Sequence, residues 1–152
     1  MSPDGSTVTF RRVRGNLRRR PIERFARTLQ SEVARGRWFD CLITTDAELR
    51  RLNRDFRGKD EATDVLSFPS GCRPPAPDRR LGDVAVSASR ARVQARQFGH
   101  TVEQEIQILM LHGVLHLMGL DHETDRGRMA RSERRWRTSL GLPQGLIERV
   151  RS

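Results

Sequence analysis

The sequence predicts an α+β fold: a small mixed β-sheet of about four strands, helices packed on it, and a central helix that bears a metal site. Three observations predict it. Short runs rich in β-branched and aromatic residues fill the first part of the chain and helical periodicity the second, and strands followed by a run of helices suit an α+β layout. The segment from Ile106 to Leu120 is apolar nearly all round, which marks a helix surrounded by protein. The 152 residues contain no internal repeat and are read as a single domain, 1–152, long enough to bury about 70% of the surface its unfolded chain would expose.

Val8 to Val13 reads as a first strand, with arginines that suit an edge or a solvated face. Pro21 opens a helix in which Ile22, Phe25, Ala26, Leu29 and Val33 recur at helical spacing, and Gly36 ends the pattern. Trp38 to Thr45 forms a second strand, and Asp46 is expected to cap a short helix carrying Leu49 and Leu52. Residues from Arg57 to Asp64 are polar and turn-like. Val65 to Phe68 reads as a strand stopped by Pro69, and Gly71 to Arg80, with Pro74, Pro75 and Pro77, as a mobile, exposed loop. Leu81 to Ser87 is another strand, and Ser87 or Ser89 can cap a helix running through Phe98. The central helix extends from about Val102 to Met118, and an amphipathic helix from about Glu123 to Leu140 carries Met129, Trp136 and Leu140.

Composition narrows the function classes. Lys+Arg number 29 against 19 Asp+Glu, a balance of +10 that suits a protein meeting phosphates, with nucleic acid the leading partner class. Lys59 is the single lysine, so the basic surface is arginine. Two cysteines, Cys41 and Cys72, make neither a disulfide framework nor a four-cysteine metal site, and point to a reducing cytoplasm. The N-terminal arginines interrupt any apolar run, so neither a signal peptide nor a membrane anchor is expected. The run from Ile106 to Leu120 is also too short for a membrane span, which needs about 20 apolar residues.

The chemistry concentrates in His112, His116 and His122, three of the chain's four histidines. His112 and His116 are four apart, so on a helix their imidazoles share one face and reach a common point. Gly119 can end that helix in the left-handed conformation, letting the chain reverse and bring His122 back. Three neutral imidazoles leave the fourth position of a tetrahedral Zn²⁺ open, as in catalytic zinc sites, although nickel or copper also suits such ligands. The bland alternative is two separately hydrogen-bonded core histidines, which a buried helix must still satisfy. Asp121 is the nearest carboxylate in sequence: either it orients a ligand or handles a proton, or it is a turn residue after Gly119.

The spacing His-x-x-x-His-x-x-Gly-x-x-His is also that of the metzincin peptidases, but the position of their general-base glutamate is Gly113 here. A peptidase would lack the residue that activates its water. Gly113 suits close helix packing or room beside a metal instead.

Several blocks together carry a family resemblance. Arg51-Leu52-Asn53, Arg57-Gly58-Lys59-Asp60, Thr63-Asp64-Val65-Leu66-Ser67-Phe68-Pro69, Leu81-Gly82-Asp83 and the segment from His112 to His122 occur in the order found in the YbeY family of bacterial rRNA maturation factors, which the chain resembles over roughly residues 40 to 140. The resemblance implies a zinc-dependent, single-strand-specific endoribonuclease acting in 16S rRNA 3′-end maturation and ribosome quality control, in the cytoplasm and in association with the small ribosomal subunit and its proteins. It implies one zinc per chain, held by His112, His116 and His122, and a functional role for Arg57 beside it. Residue 120 is often tyrosine in the family and is Leu120 here, in a chain without tyrosine. Without the resemblance, Arg57 and Lys59 read as a solvated turn; with it, Arg57 is functional and Lys59 is left open. Asp64 and Asp83 read as turn or cap residues or as partners behind the site, Ser67 and Phe68 as cleft lining or strand core, and Met129 as core or a floor beneath the metal. Two other classes fit parts of the pattern: a metallohydrolase of another substrate, and a ribosome-assembly RNA-binding factor whose metal is not catalytic.

Overall fold

Alternation of apolar residues along the strands sorts the chain onto the two faces of one sheet. The structure is a computed structural model that describes residues 5–70, 79–121 and 124–143. Strands β1 (Thr7–Phe10), β2 (Trp38–Thr44), β3 (Val65–Pro69) and β4 (Arg80–Ser87) form a sheet of order β1-β2-β4-β3, with β1, β2 and β4 parallel and β3 antiparallel to β4. The mixed sheet with packed helices is the α+β fold expected.

On one face, Phe39, Cys41 and Ile43 of β2 and Val84 and Val86 of β4 join the main core. This face is covered by α4 (Val102–Leu117), against which α1 (Arg19–Thr28), α3 (Ala88–Phe98) and α5 (Arg128–Ser139) pack. Ile106, Ile108, Leu109, Met110 and Leu111 are essentially inaccessible, as an all-round apolar helix requires. Burying a side chain of this size contributes about 1.5–3 kcal/mol, so α4 is the element the core is built around. Thr101 and Gln104 close its N-terminus in a reciprocal capping box. On the opposite face, α2 (Asp46–Arg57) lays Leu49 and Leu52 over Leu66 and Ala85.

Several boundaries differ from expectation for local reasons. β1 ends at Phe10, and Arg12 has φ 57°, a left-handed turn that takes the chain out of the sheet. The first helix starts at Arg19, with Pro21 in its opening turn where an amide is not needed, and continues as a π-helical turn, Leu29–Val33. The cap of α2 is Thr45, whose hydroxyl accepts from the Glu48 amide at 3.2 Å; Asp46 is instead the first helical residue and pairs with Arg90. That helix reaches Arg57, the first residue of the segment expected to be loop, and ends at Gly58 with φ 69°. Ser87, not Ser89, caps α3. β4 begins at Arg80, while the rest of the expected proline-rich loop lies largely outside the described residues. Finally, α5 begins at Arg128 rather than near Glu123, because the Asp125 carboxylate accepts from the Gly127 and Met129 amides and holds a turn there.

Candidate functional site

The close approach of α4 to the sheet makes the site. Gly113 allows it: a Cβ there would lie 2.7 Å from Val84 Cγ1 and 3.1 Å from Ser67 Oγ. The Ser67 hydroxyl donates to the Gly113 carbonyl at 2.9 Å, tying β3 to the helix at the same point. Of the two uses suggested by the sequence, Gly113 serves packing.

On the same helix, His112 and His116 project with their rings 4.8 Å apart and nearly perpendicular. Their Nε2 atoms are 3.2 Å apart. His112 Nδ1 lies 2.9 Å from Glu133 Oε2, and that carboxylate, on α5, is 1% exposed. A carboxylate accepts, so Nδ1 carries the proton and the His112 Nε2 lone pair is directed toward His116. Two nitrogens so placed can share a hydrogen bond if His116 donates, or can converge on a cation. The donor set fits a metal: tetrahedral zinc with Zn–N about 2.0–2.1 Å separates its nitrogens by roughly 3.3–3.4 Å, and a carboxylate behind a ligating imidazole is its usual companion. The pair does not become a cluster of three among the described residues, and His122 lies outside them. Gly119, with φ 93°, does make the expected reversal after α4.

Arg57, Thr63, Asp64, β3 and the two histidines line one cleft of about 370 Å³. Arg57 comes from the last turn of α2, and Asn53 holds the chain just beyond it. The buried Asn53 side-chain amide donates to the Glu61 carbonyl at 3.1 Å, and its backbone carbonyl accepts from Lys59, folding residues 58 to 61 back over the helix end. Arg50, Arg51 and Arg54 on the same helix are each ion-paired, to Asp60, to Glu48 and Asp55, and to Asp55. Among the described residues Arg57 has no such carboxylate and faces the cleft with its charge available.

The remaining residues singled out from the sequence divide between roles. Asp64 lines the cleft while its carbonyl accepts from Ser87 across the strands. Ser67 lines it too, but Phe68 lies on the other side of the sheet, in edge-to-face contact with Phe56 at 5.6 Å. Asp83 pairs with Arg80 at 2.6 Å. Met129 is fully buried core. Asp121 is exposed in the turn after Gly119, where its carbonyl accepts from Thr124 and Asp125. Cys41 is not among the residues lining the cleft, and burial, with Asp40 beside it, pushes its thiol up to about 12.

Glu133 and Asn53 were missed as site residues. The signal for Glu133 was its position on the apolar stripe of α5, four residues after Met129 and three before Trp136, where a carboxylate is buried and needs a partner.

Fold and site together define an α+β protein that opens a histidine pair, backed by a buried carboxylate, and an arginine with no carboxylate partner among the described residues onto one cleft at the edge of a sheet. The profile of the family described as Endoribonuclease YbeY matches residues 14–141, and the chain belongs to that family. An Endoribonuclease YbeY of Solibacter usitatus is 72% identical over 151 residues, covering 99% of each chain. The one of Koribacter versatilis is 51% identical over 109 residues, covering 72% of this chain and 68% of the relative. The solution structure of a Thermotoga maritima protein is similar at TM-score 0.57 and 26% identity, covering 86% of this chain and 85% of that one. No described helix is long and apolar enough to cross a membrane.

Proposed function

We propose that this protein is a zinc-dependent endoribonuclease that cuts single-stranded RNA, acting at the 3′ end of 16S rRNA in the cytoplasm and on the small ribosomal subunit. The observation that carries the reading is the meeting of His112, His116 and Arg57 on one cleft, in a chain whose relatives bear the name endoribonuclease. His112 and His116 would hold the metal, with His122 as the third ligand that the sequence pattern supplies. When bound, zinc contributes Lewis acidity at the scissile phosphate.

The chain's own groups supply the rest. Glu133 keeps the proton on His112 Nδ1, so that Nε2 stays a lone-pair donor. Arg57 offers a planar, two-point hold on phosphate oxygens and stabilises the charge that grows there during cleavage. Asp121, close in sequence to His122, is the proposed proton carrier. The +10 charge draws the RNA in and makes binding sensitive to salt.

Metal analysis joined to cleavage of single-stranded RNA tests the reading. Untagged wild type purified without chelator is expected to carry about one zinc per chain and to cut. His116→Ala should lose metal and cleavage together. Arg57→Ala should keep fold and metal while cleavage falls about a hundredfold or more, with a smaller effect on affinity. Cleavage by Arg57→Ala at the wild-type rate would return Arg57 to a solvated helix end, and a metal-free wild type that cuts normally would remove the zinc.

A further inference from the structure

The cleft has a second chemical feature besides its side chains. β3 is the edge strand of the sheet, and its antiparallel pairing with β4 uses alternate residues. The Asp64 carbonyl accepts from the Ser87 amide at 2.9 Å and the Ser70 amide donates to the Leu81 carbonyl at 3.2 Å, so with the register Val65↔Val86 through Pro69↔Gly82 the bonded positions are 64, 66, 68 and 70. The amides and carbonyls of Val65 and Ser67 therefore point away from β4, and no described residue pairs with them. Pro69 follows the same parity: having no amide, it sits where the ladder needs none. Val65, Ser67 and Pro69 all line the cleft with Arg57, His112 and His116.

Resting on the endoribonuclease reading above, we infer that this free edge is a rail for the RNA backbone: the Val65 and Ser67 amides donate to consecutive phosphates, and the carbonyls beside them accept ribose 2′-hydroxyls. Equivalent groups on one edge repeat about every 6.8 Å, comparable to the repeat of an extended nucleotide chain. Charge favours this occupant. The donor pair ends beside the uncompensated Arg57, which suits an anionic strand, whereas a peptide adding itself to the sheet would find its ladder cut short at Pro69 after two donors. The carbonyls give the rail a means of telling RNA from DNA, since only ribose presents a hydroxyl donor there.

Replacing Val65 or Ser67 by its α-hydroxy-acid analogue deletes one outward N–H and keeps the side chain. Affinity for a single-stranded RNA oligonucleotide, read by fluorescence anisotropy in a His116→Ala background so that the strand stays intact, is expected to fall about tenfold or more for each. The same replacement at Leu66, whose amide points into the ladder, should lower the melting temperature and, because it only weakens the Val65 carbonyl as an acceptor, should lower affinity less than either outward deletion. Val65→Pro removes the same donor by a second route, at an edge position that tolerates proline. The parent should also bind the RNA more tightly than DNA of the same sequence. Unchanged RNA affinity in both analogues and in Val65→Pro would overturn the rail, as would loss of binding to an extended peptide while RNA affinity stays constant. If wild type cuts RNA and the analogues bind it as tightly as their parent, the rail alone fails; if wild type neither binds nor cuts RNA, the endoribonuclease reading fails with it.

Discussion

Helix α4 holds a histidine–glutamate pair at each end, and the two pairs are used differently. Near its N-terminus, Glu105 is 0% exposed, with one oxygen 2.5 Å from His100 Nε2 and the other accepting from Gln94 at 2.8 Å. Protein groups take both carboxylate oxygens, and the cluster ties α3 and the loop after it to α4. Near the C-terminus the roles reverse: α4 supplies the imidazole, and Glu133 takes only one of its nitrogens. The other nitrogen faces His116 and the cleft. The same two residue types make a closed structural clamp in one place and an open donor site in the other. What separates them is whether the second imidazole nitrogen faces a cleft shared with a second histidine.

If that contrast is right, the largest effect on stability comes from the closed end. His100→Ala leaves the buried Glu105 carboxylate without its imidazole and should cost about 3–5 kcal/mol, read by chemical denaturation, while zinc content and RNA cleavage per folded molecule stay near wild type. Loss of metal from this variant would mean the two ends are not separate. At the open end, Glu133→Ala should weaken zinc about ten- to a hundredfold in competition with a chelator. Glu133→Gln should recover part of this, because its amide oxygen can still accept from Nδ1. Equal zinc affinity in all three proteins would make Glu133 a packing residue like Glu105. The smallest effect is steric. Gly113→Ala drives a methyl against Val84 and should cost about 1–3 kcal/mol, with cleavage lost to a greater degree than stability if the helix-to-strand approach sets the cleft.

Much of this was legible in the sequence where local rules and tertiary demands agree. The i, i+4 histidines on an apolar helix, the Gly119 reversal and the Thr45 to Ser87 strand and helix pattern all follow from period and turn chemistry. Arg57 was identified only through a resemblance, because nothing local separates it from Arg50, Arg51 and Arg54. Its distinction is the absence of a carboxylate partner among the described residues, which arises from packing. Glu133 escaped for a related reason: α5 carries so many charges that one facing inward was counted with the solvated ones. The start of α5 and the cap of α2 were misplaced because a nearby side chain captured the first free amides, a competition that periodicity does not register.

The strand order carries one further consequence. β2 pairs with β4, which lies beyond β3 in the chain, so the parallel trio of β1, β2 and β4 is complete without β3. Among the described residues β3 pairs with another strand along one edge only, with the Ser67 hydroxyl as a further tie to α4, and local opening of a peripheral strand costs less than global unfolding. Amide exchange should find Leu66 and Phe68 protected less than the β2 amides. The histidines, by contrast, sit on the helix with the deepest burial in the fold. One wall of the cleft thus belongs to the most deeply buried helix of the fold, while the other is a peripheral strand whose opening is expected to cost less than global unfolding.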